Sequence, residues 1–126
     1  MIKLLNRNMI ARMVGRGKSK SYMIFGFILA NNEIQDNELM YLKIKSEQYK
    51  ESILLGFVLS SLLYLITDSY IYYTTIPIMY YLIRLIENLV SSISNKIPPM
   101  EMEALDNMND PDYLIVRKGL GFLRYY

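Results

Sequence analysis

The chain of 126 residues contains no cysteine and no histidine. Without cysteine it can form no disulfide, no thiol nucleophile and no zinc site of the Cys/His type. Without histidine it cannot build a Ser-His-Asp triad from its own side chains. The acidic run after Asp106 does not match a calcium loop, because Met108, Pro111 and Arg117 occupy positions that need an oxygen ligand, a glycine and a glutamate. We therefore predict a chain that is not itself catalytic and that carries no metal and no cofactor.

Charge is scarce in the centre of the chain rather than in the whole. The formal net charge of +2 is too small to indicate nucleic-acid binding. Across residues 52–90 the charged side chains are only Asp68, Arg84 and Glu87, and the other residues are mostly apolar. A turn at Thr67–Ser69 divides this stretch into two runs, about 52–67 and 70–90. Their length and composition predict two membrane-crossing helices.

We predict an all-α membrane protein, a two-helix transmembrane hairpin with polar N- and C-terminal arms. The chain divides into a basic arm with a short apolar segment (1–37), a long helix plus hairpin (38–90), and a polar linker with an acidic and basic tail (91–126). No glycine or proline lies between Glu38 and Ser52, so one helix should run from about Glu38 to Thr67. Its apolar part, at 1.5 Å per residue, is about 24 Å long, less than the roughly 30 Å hydrocarbon core.

Small and turn-forming residues shape the predicted hairpin. Gly56 and Ser60 stand four residues apart, a spacing that permits close helix packing. Pro77 lacks a backbone donor and predicts a kink in the second span. Asp68 is expected to cap the second helix through its side chain. The tyrosines around the turn predict a membrane interface there; they are Tyr64, Tyr70, Tyr72 and Tyr73.

The N-terminal arm is basic, with six basic residues and no acidic residue in positions 1–20. An amphipathic pattern over Ile2–Val14 is typical of a mitochondrial presequence or a membrane-surface helix. We expect a retained arm against anionic lipid or a neighbouring subunit, with a solvated tail as the alternative. Basic side chains near the predicted interface are candidate contacts for lipid headgroups; they are Arg12, Arg16, Lys18, Arg84 and Arg117.

Three further segments carry predictions. Tyr22–Ala30 is apolar but too short to cross a bilayer, which favours an interfacial helix, with a buried strand as the alternative. The acidic residues from Glu101 to Asp112 are expected at a solvated surface or against basic groups of another chain. Leu114–Val116 could form a short strand. The apolar tail 113–126 lacks an obvious core of its own, so we expect it to dock on another subunit.

The predicted topology places both termini on one side, with every basic residue except Arg84, so the positive-inside rule assigns that side to the cytoplasm or the mitochondrial matrix. We expect an accessory subunit of a multi-subunit membrane complex, in the mitochondrial inner membrane and with matrix-facing termini. A respiratory-chain complex or the ATP synthase would be the host. Its partners would be other subunits and lipids, cardiolipin among them. The alternatives are a self-assembling pore of the holin kind, a membrane enzyme, and a soluble helical protein with the hairpin as its core.

Overall fold

The computed structural model describes residues 21–29 and 34–126. The basic segment 1–20, with Arg12, Arg16 and Lys18, lies outside the described residues, as does 30–33. The described chain is mostly helical and also contains one small β-hairpin. In chain order its elements are β1 (Tyr22–Ile24), β2 (Phe27–Leu29), α1 (Asp36–Thr67), a first 3-10 helix (Tyr70–Ile78), α2 (Met79–Ser94), α3 (Pro99–Asn107), α4 (Tyr113–Val116) and a C-terminal 3-10 helix (Gly121–Tyr125).

Helix α1 confirms the prediction of one long helix that enters the apolar stretch without a break. Asp36 and Glu38 lie in its first turn, where negative charge interacts favourably with the helix dipole. The helix ends at Asp68, which has a φ of 53° and whose N–H donates to the carbonyl of Tyr64 at 2.7 Å. The prediction that Asp68 caps the second helix is wrong. Asp68 takes the left-handed position that closes α1, and the next segment starts after Ser69 without a side-chain cap.

The second leg of the hairpin changes its helical type along its length. It begins as a 3-10 helix that contains Pro77 and continues as α2 from Met79. This leg and α1 are both long and apolar enough to cross a membrane. The two legs run antiparallel, since Ser60 of α1 reaches Tyr72 while Gly56 lies against Ile76 and Met79.

Residues 22–29 form an antiparallel β-hairpin, so the predicted interfacial helix is wrong. Tyr22 pairs with Leu29 and Ile24 with Phe27 around a two-residue turn. Both turn residues, Phe25 and Gly26, have positive φ, as the tight turns that suit strand twist require. A Cβ at Gly26 would lie 2.7 Å from the Tyr49 ring, so this turn also needs a glycine for close packing on α1.

The C-terminal part folds back on its own chain. Phe122 is buried in one cluster with Tyr49, Tyr80 and Met100. The expectation that the tail lacks a core of its own is therefore wrong for Phe122, because α1, α2 and α3 supply that core, whereas Ile115, Val116 and Leu123 stay exposed. Segment 113–116 is a short helix rather than a strand. The linker predicted over residues 91–99 is shorter in the structure, since α2 continues to Ser94 and Pro99, which follows Pro98, opens α3. Proline suits that first position because its N–H would have no helical partner there.

We call residues 36–51 and 95–126 the head and residues 52–94 the hairpin. The head contains two clusters of charged side chains, and the hairpin contains most of the exposed apolar surface.

Candidate functional site

The first charged cluster, the Arg117 cluster, joins the C-terminal tail to α1 and α3. Arg117 Nη1 and Nη2 donate to the two oxygens of Glu51 at 2.5 and 2.9 Å, a two-pronged contact. Its Nε donates to Glu103 at 2.6 Å. The Arg117 side chain is 5% exposed and that of Glu103 is 0% exposed, so these ions interact almost without water. Such geometry matches the planar fork of a guanidinium to carboxylates.

Neutral donors complete the coordination of both carboxylates. Gln48 Nε2 donates to Glu103 at 2.7 Å and the Tyr113 hydroxyl donates to it at 2.8 Å. The backbone N–H of Leu120 donates to Glu51 at 2.8 Å. Buried charges are stable only when such partners replace water. The cluster therefore fixes three distant parts of the sequence in one arrangement.

Ionisation in the Arg117 cluster follows from burial and from these bonds. Burial by itself acts to lower the pKa of Arg117, but the hydrogen bonds and charges of Glu51 and Glu103 outweigh it, and the pKa rises. Burial raises the pKa of Tyr113, and its hydrogen bond to Glu103 raises it further. Arg117 is therefore held as a cation and Tyr113 as a neutral donor.

Gly121 is required by the same cluster. A Cβ at this position would lie 2.5 Å from Glu103 Oε1 and 3.2 Å from Arg117 Nε. The tail can pass over the ion pair only because this residue has no side chain.

The second charged cluster, the Glu101 cluster, joins α3 to both α1 and α2. Glu101 accepts hydrogen bonds from the Tyr41 hydroxyl and from Arg84 Nη2, the latter at 2.7 Å, and Lys45 Nζ lies at 3.1 Å. Burial alone would raise the pKa of Glu101, but Tyr41, Lys45 and Arg84 together lower it below its ordinary value. The Glu101 cluster thus stabilises the carboxylate form and connects the two legs of the hairpin through α3.

Glu87 provides a second connection between α2 and the C-terminal part. Its side chain is buried, and its carboxylate lies 3.8 Å from Nη1 of Arg84, three residues earlier on α2. It also accepts hydrogen bonds from the backbone N–H of Met100 at 3.3 Å and from the hydroxyl of Tyr126 at 2.5 Å. The last residue of the chain is thereby bonded to the hairpin.

The acidic tract is therefore not uniformly solvated as predicted. Glu101 and Glu103 turn inward and bond basic groups of their own chain, whereas Asp106, Asp110 and Asp112 are exposed. Of the candidate headgroup contacts in the described chain, Arg84 and Arg117 both bond these inward carboxylates. A lipid contact for either one stays a prediction.

Of the candidate packing residues Gly56, Ser60 and Pro77, the first two are buried between the legs of the hairpin, whereas Pro77 is exposed. A Cβ at Gly56 would lie 3.2 Å from Met79 Cβ, so the legs approach closely at this point. Ser60 Oγ donates to the carbonyl of Tyr72 at 2.9 Å. The carbonyl of Pro77 accepts a hydrogen bond from the Tyr49 hydroxyl at 3.1 Å.

The sequence did not predict that Gln48, Glu51 and Glu103 belong to the Arg117 cluster. One signal was available for α1: polar or small residues recur every three or four positions along a single face, at Lys45, Gln48, Ser52, Gly56 and Ser60. This face is the one that packs inward, and four of the five residues are buried. No comparable signal pairs Arg117 with Glu51, because 66 positions separate them.

The hairpin has an inverted distribution of side chains. Its buried positions on α1 are Ser52, Gly56 and Ser60. Its exposed side chains are large and apolar; on α1 they are Leu54, Leu55, Phe57, Val58, Leu59, Leu62, Leu65 and Ile66. Only 17% of the most apolar part of the first leg and 11% of that of the second is buried. A helix that packs a soluble core shows the opposite pattern.

The two charged clusters bring carboxylates together with cations and hydroxyl donors, an arrangement that holds helices in place. Within residues 21–29 and 34–126, no three Asp, Glu, His or Cys side chains gather in a group that could hold a metal ion. Comparisons with family models, with curated proteins and with solved structures found no match to this chain.

Proposed function

We propose that this chain is a non-catalytic membrane subunit whose hairpin inserts into a bilayer and whose head binds a larger assembly. The observation that carries the proposal is the inverted first leg of the hairpin, with small residues inside and large apolar residues outside. Hydrocarbon accepts such a surface, whereas water disfavours it by about 25 cal/mol per Å². The same inversion argues against the hairpin as the core of a soluble domain.

The head supports a structural rather than a chemical role. Its inward carboxylates, Glu51, Glu101 and Glu103, are each bonded by donors of the same chain, as is Glu87 of α2. A group that acts on a substrate needs free capacity and a neighbouring nucleophile or base. The head would therefore present a rigid, preformed surface to its partners.

The host that we propose is a complex of the mitochondrial inner membrane, a respiratory-chain complex or the ATP synthase. Support comes from the basic, acid-poor pattern of residues 1–20, which is typical of mitochondrial targeting. The concentration of basic residues outside the hairpin supports matrix-facing termini. The C-terminal tail is not counted as support for a host complex. Phe122 is buried in its own chain, and the Tyr126 hydroxyl is bonded to Glu87.

A pore of identical copies has less support. Its polar stripe would consist of Ser60, Ser61, Thr67, Thr74 and Thr75. Each of these hydroxyls donates to a backbone carbonyl of the same chain, as serine and threonine hydroxyls in helices often do. Their donors are therefore used inside the hairpin.

The proposal is tested by native purification of the tagged chain from its source membranes. We expect the chain to stay in the membrane after carbonate extraction and to migrate in mild detergent with a large assembly of defined partners. Release by carbonate would contradict membrane insertion. A stable, monodisperse monomer in mild detergent would contradict the subunit role.

A matched pair of variants tests whether the hairpin, and not the head, anchors the chain in the membrane. Leu62→Arg places a charge on the exposed face of the hairpin, at a cost of about 2.5–3.5 kcal/mol for insertion, and should reduce membrane retention. Asp106→Arg changes the charge of an exposed head residue and should leave retention unchanged. Equal loss of retention in both variants would contradict an anchor confined to the hairpin.

A further inference from the structure

The outer face of α2 presents a stripe of large apolar side chains away from the molecule. They recur every three or four positions and therefore lie on one side of the helix. We call them the α2 stripe; they are Leu82, Leu85, Ile86, Leu89, Val90 and Ile93. The opposite side of α2 packs on the head, through the buried residues Tyr80 and Glu87 and through the bond from Arg84 to Glu101.

The α2 stripe lies beside the head and not beside the first span. Met79, where α2 begins, lies against Gly56, which belongs to the apolar part of α1. Further along α2, Arg84 shares Glu101 with Lys45, which lies in the polar part of α1. At this level the two legs expose different surfaces. The exposed side chains of α1 include Lys50, whereas those of the second leg carry no charge from Tyr70 to Asn95.

The β-hairpin extends the same uncharged surface. Its turn lies against α2, since the Phe25 N–H donates to the Tyr81 hydroxyl at 2.9 Å and the two rings are 5.6 Å apart. Tyr22, Phe25 and Phe27 expose their rings to the outside. Aromatic rings of this kind are enriched at the boundary between membrane and water.

Two occupants could cover the α2 stripe, a second copy of the chain or lipid. Leu82, Ile86, Leu89 and Ile93 follow a heptad spacing, but they extend over fewer than two heptads, whereas a coiled coil needs about three or four. Stable protein interfaces use roughly 20–30 residues from each partner, far more than this stripe offers. Lipid is favoured because the stripe continues, without an exposed charge, into the apolar surface of the first 3-10 helix.

We propose that the α2 stripe is immersed in lipid acyl chains, so that the membrane boundary is oblique. It would lie near Ser52 on α1 but near Lys96, the first exposed charge after the stripe, on α2. An amphipathic helix in this position buries its apolar face about 5–10 Å into the headgroup and acyl boundary. Here the polar face of α2 is bonded to the head, so the head is half-embedded on the α2 side. This inference rests on the membrane insertion proposed above.

The sequence contains no cysteine, so each introduced cysteine is the single site at which a spin label attaches. Leu89→Cys and Ile93→Cys report on the stripe, and Ile93 is 86% exposed, so a label there should not disturb the fold. Leu62→Cys reports on the hairpin, and Lys50→Cys reports on the charged side of the head. The full chain is reconstituted in phosphatidylcholine–phosphatidylglycerol vesicles, and collision rates with oxygen and with a water-soluble nickel chelate are measured.

We expect the ratio of oxygen to nickel collisions at Leu89 and Ile93 to rise to the range measured at Leu62 and to exceed that at Lys50. Ratios at both stripe positions equal to that at Lys50, with Leu62 still lipid-exposed, would overturn this inference; the inserted part of the hairpin would then end before the stripe, and the proposed role as a membrane subunit would stand. Low collision rates with both reagents at the stripe would assign it to a second copy and also overturn the inference. A water-exposed Leu62 would contradict membrane insertion itself.

Discussion

The head and the hairpin of this chain are built by opposite rules. In the head, charged side chains are inside, where Glu103 and Arg117 meet almost without water. On the α1 leg of the hairpin, the inside is occupied by small residues such as Gly56 and Ser60, and the large apolar side chains are outside. The head thus depends on specific pairing of ions, and the hairpin depends on close approach and on an apolar surrounding.

The comparison shows how one helix can serve two environments. Helix α1 keeps one inward face along its whole length, with Gln48 in the head and Ser52 and Gly56 in the hairpin. What changes is the outward face, which is charged at Lys50 and apolar from Leu54 onward. The internal packing of the chain is therefore encoded by the inner face, and its proposed position relative to a bilayer by the outer face.

The largest expected effect is the loss of the Arg117 cluster. Arg117→Met leaves Glu103 buried without its cation, and breaking a buried pair in this way costs about 3–5 kcal/mol. The free energy of unfolding is measured by guanidinium titration in detergent micelles, followed by the near-ultraviolet circular dichroism of the tyrosines. Arg124→Met is the control, since this side chain is exposed and its loss should cost less than about 0.5 kcal/mol. Equal effects of the two variants would show that the head does not depend on this ion pair.

The hairpin should instead be sensitive to side-chain volume. Gly56→Val places methyl groups against Met79, where even a Cβ has only 3.2 Å. Overpacking of this kind costs about 1–3 kcal/mol, although the loss of a helical glycine offsets part of it. The measurement is the same unfolding titration. Gly119→Val serves as the control, because the nearest atom to its Cβ would be 4.0 Å away. A stabilised Gly56→Val variant would contradict close packing of the legs.

The hairpin was largely predictable from sequence, because its signal is local. The length of α1, the turn near Thr67 and the small residues Gly56 and Ser60 all follow from composition and spacing within about forty positions. The head was not predictable in the same way. Its contacts join Glu51 to Arg117 across 66 positions, and no periodicity records such a pair.

The errors at the two ends have separate physical causes. The segment around Gly26 has an apolar composition that helix and strand share, and only the turn-forming glycine at its centre indicates a hairpin. The tail lacked a visible core because its partners, Tyr49, Tyr80 and Met100, come from three other elements. A segment whose burial depends on distant residues looks unpartnered in its own sequence.

Acid should loosen the head before it affects the hairpin. The pKa of Glu101 is lowered in the folded chain from its ordinary value of 4.5, so this carboxylate contributes stability above pH 4.5 that is lost as the pH falls through the folded pKa. Unfolding titrations between neutral pH and pH 3 should show this loss. Glu101→Gln should lower stability at neutral pH by about 1 kcal/mol, between the values for exposed pairs and for bonds to buried charges. The variant should also lose less of its free energy of unfolding as the pH falls below 4.5. If the free energy of unfolding fell with pH as steeply as in the unsubstituted chain, the acid sensitivity would belong to other carboxylates.

The smallest expected effect distinguishes the two helix ends that have positive φ. Asp68 closes α1 at the hairpin turn and Asn95 closes α2 beside the head, each with a φ of 53°. Aspartate is the less suitable of the two, because its charge lies at the negative end of the helix dipole. Asp68→Gly removes both the charge and the left-handed strain, and should raise the free energy of unfolding by about 0.5–1 kcal/mol. Asn95→Gly should change it by less than this, because asparagine tolerates the conformation and carries no charge. If Asp68→Gly destabilised the hairpin, the hydrogen bond between the Asp68 and Tyr64 side chains would outweigh the charge and the strain, which would contradict this ranking.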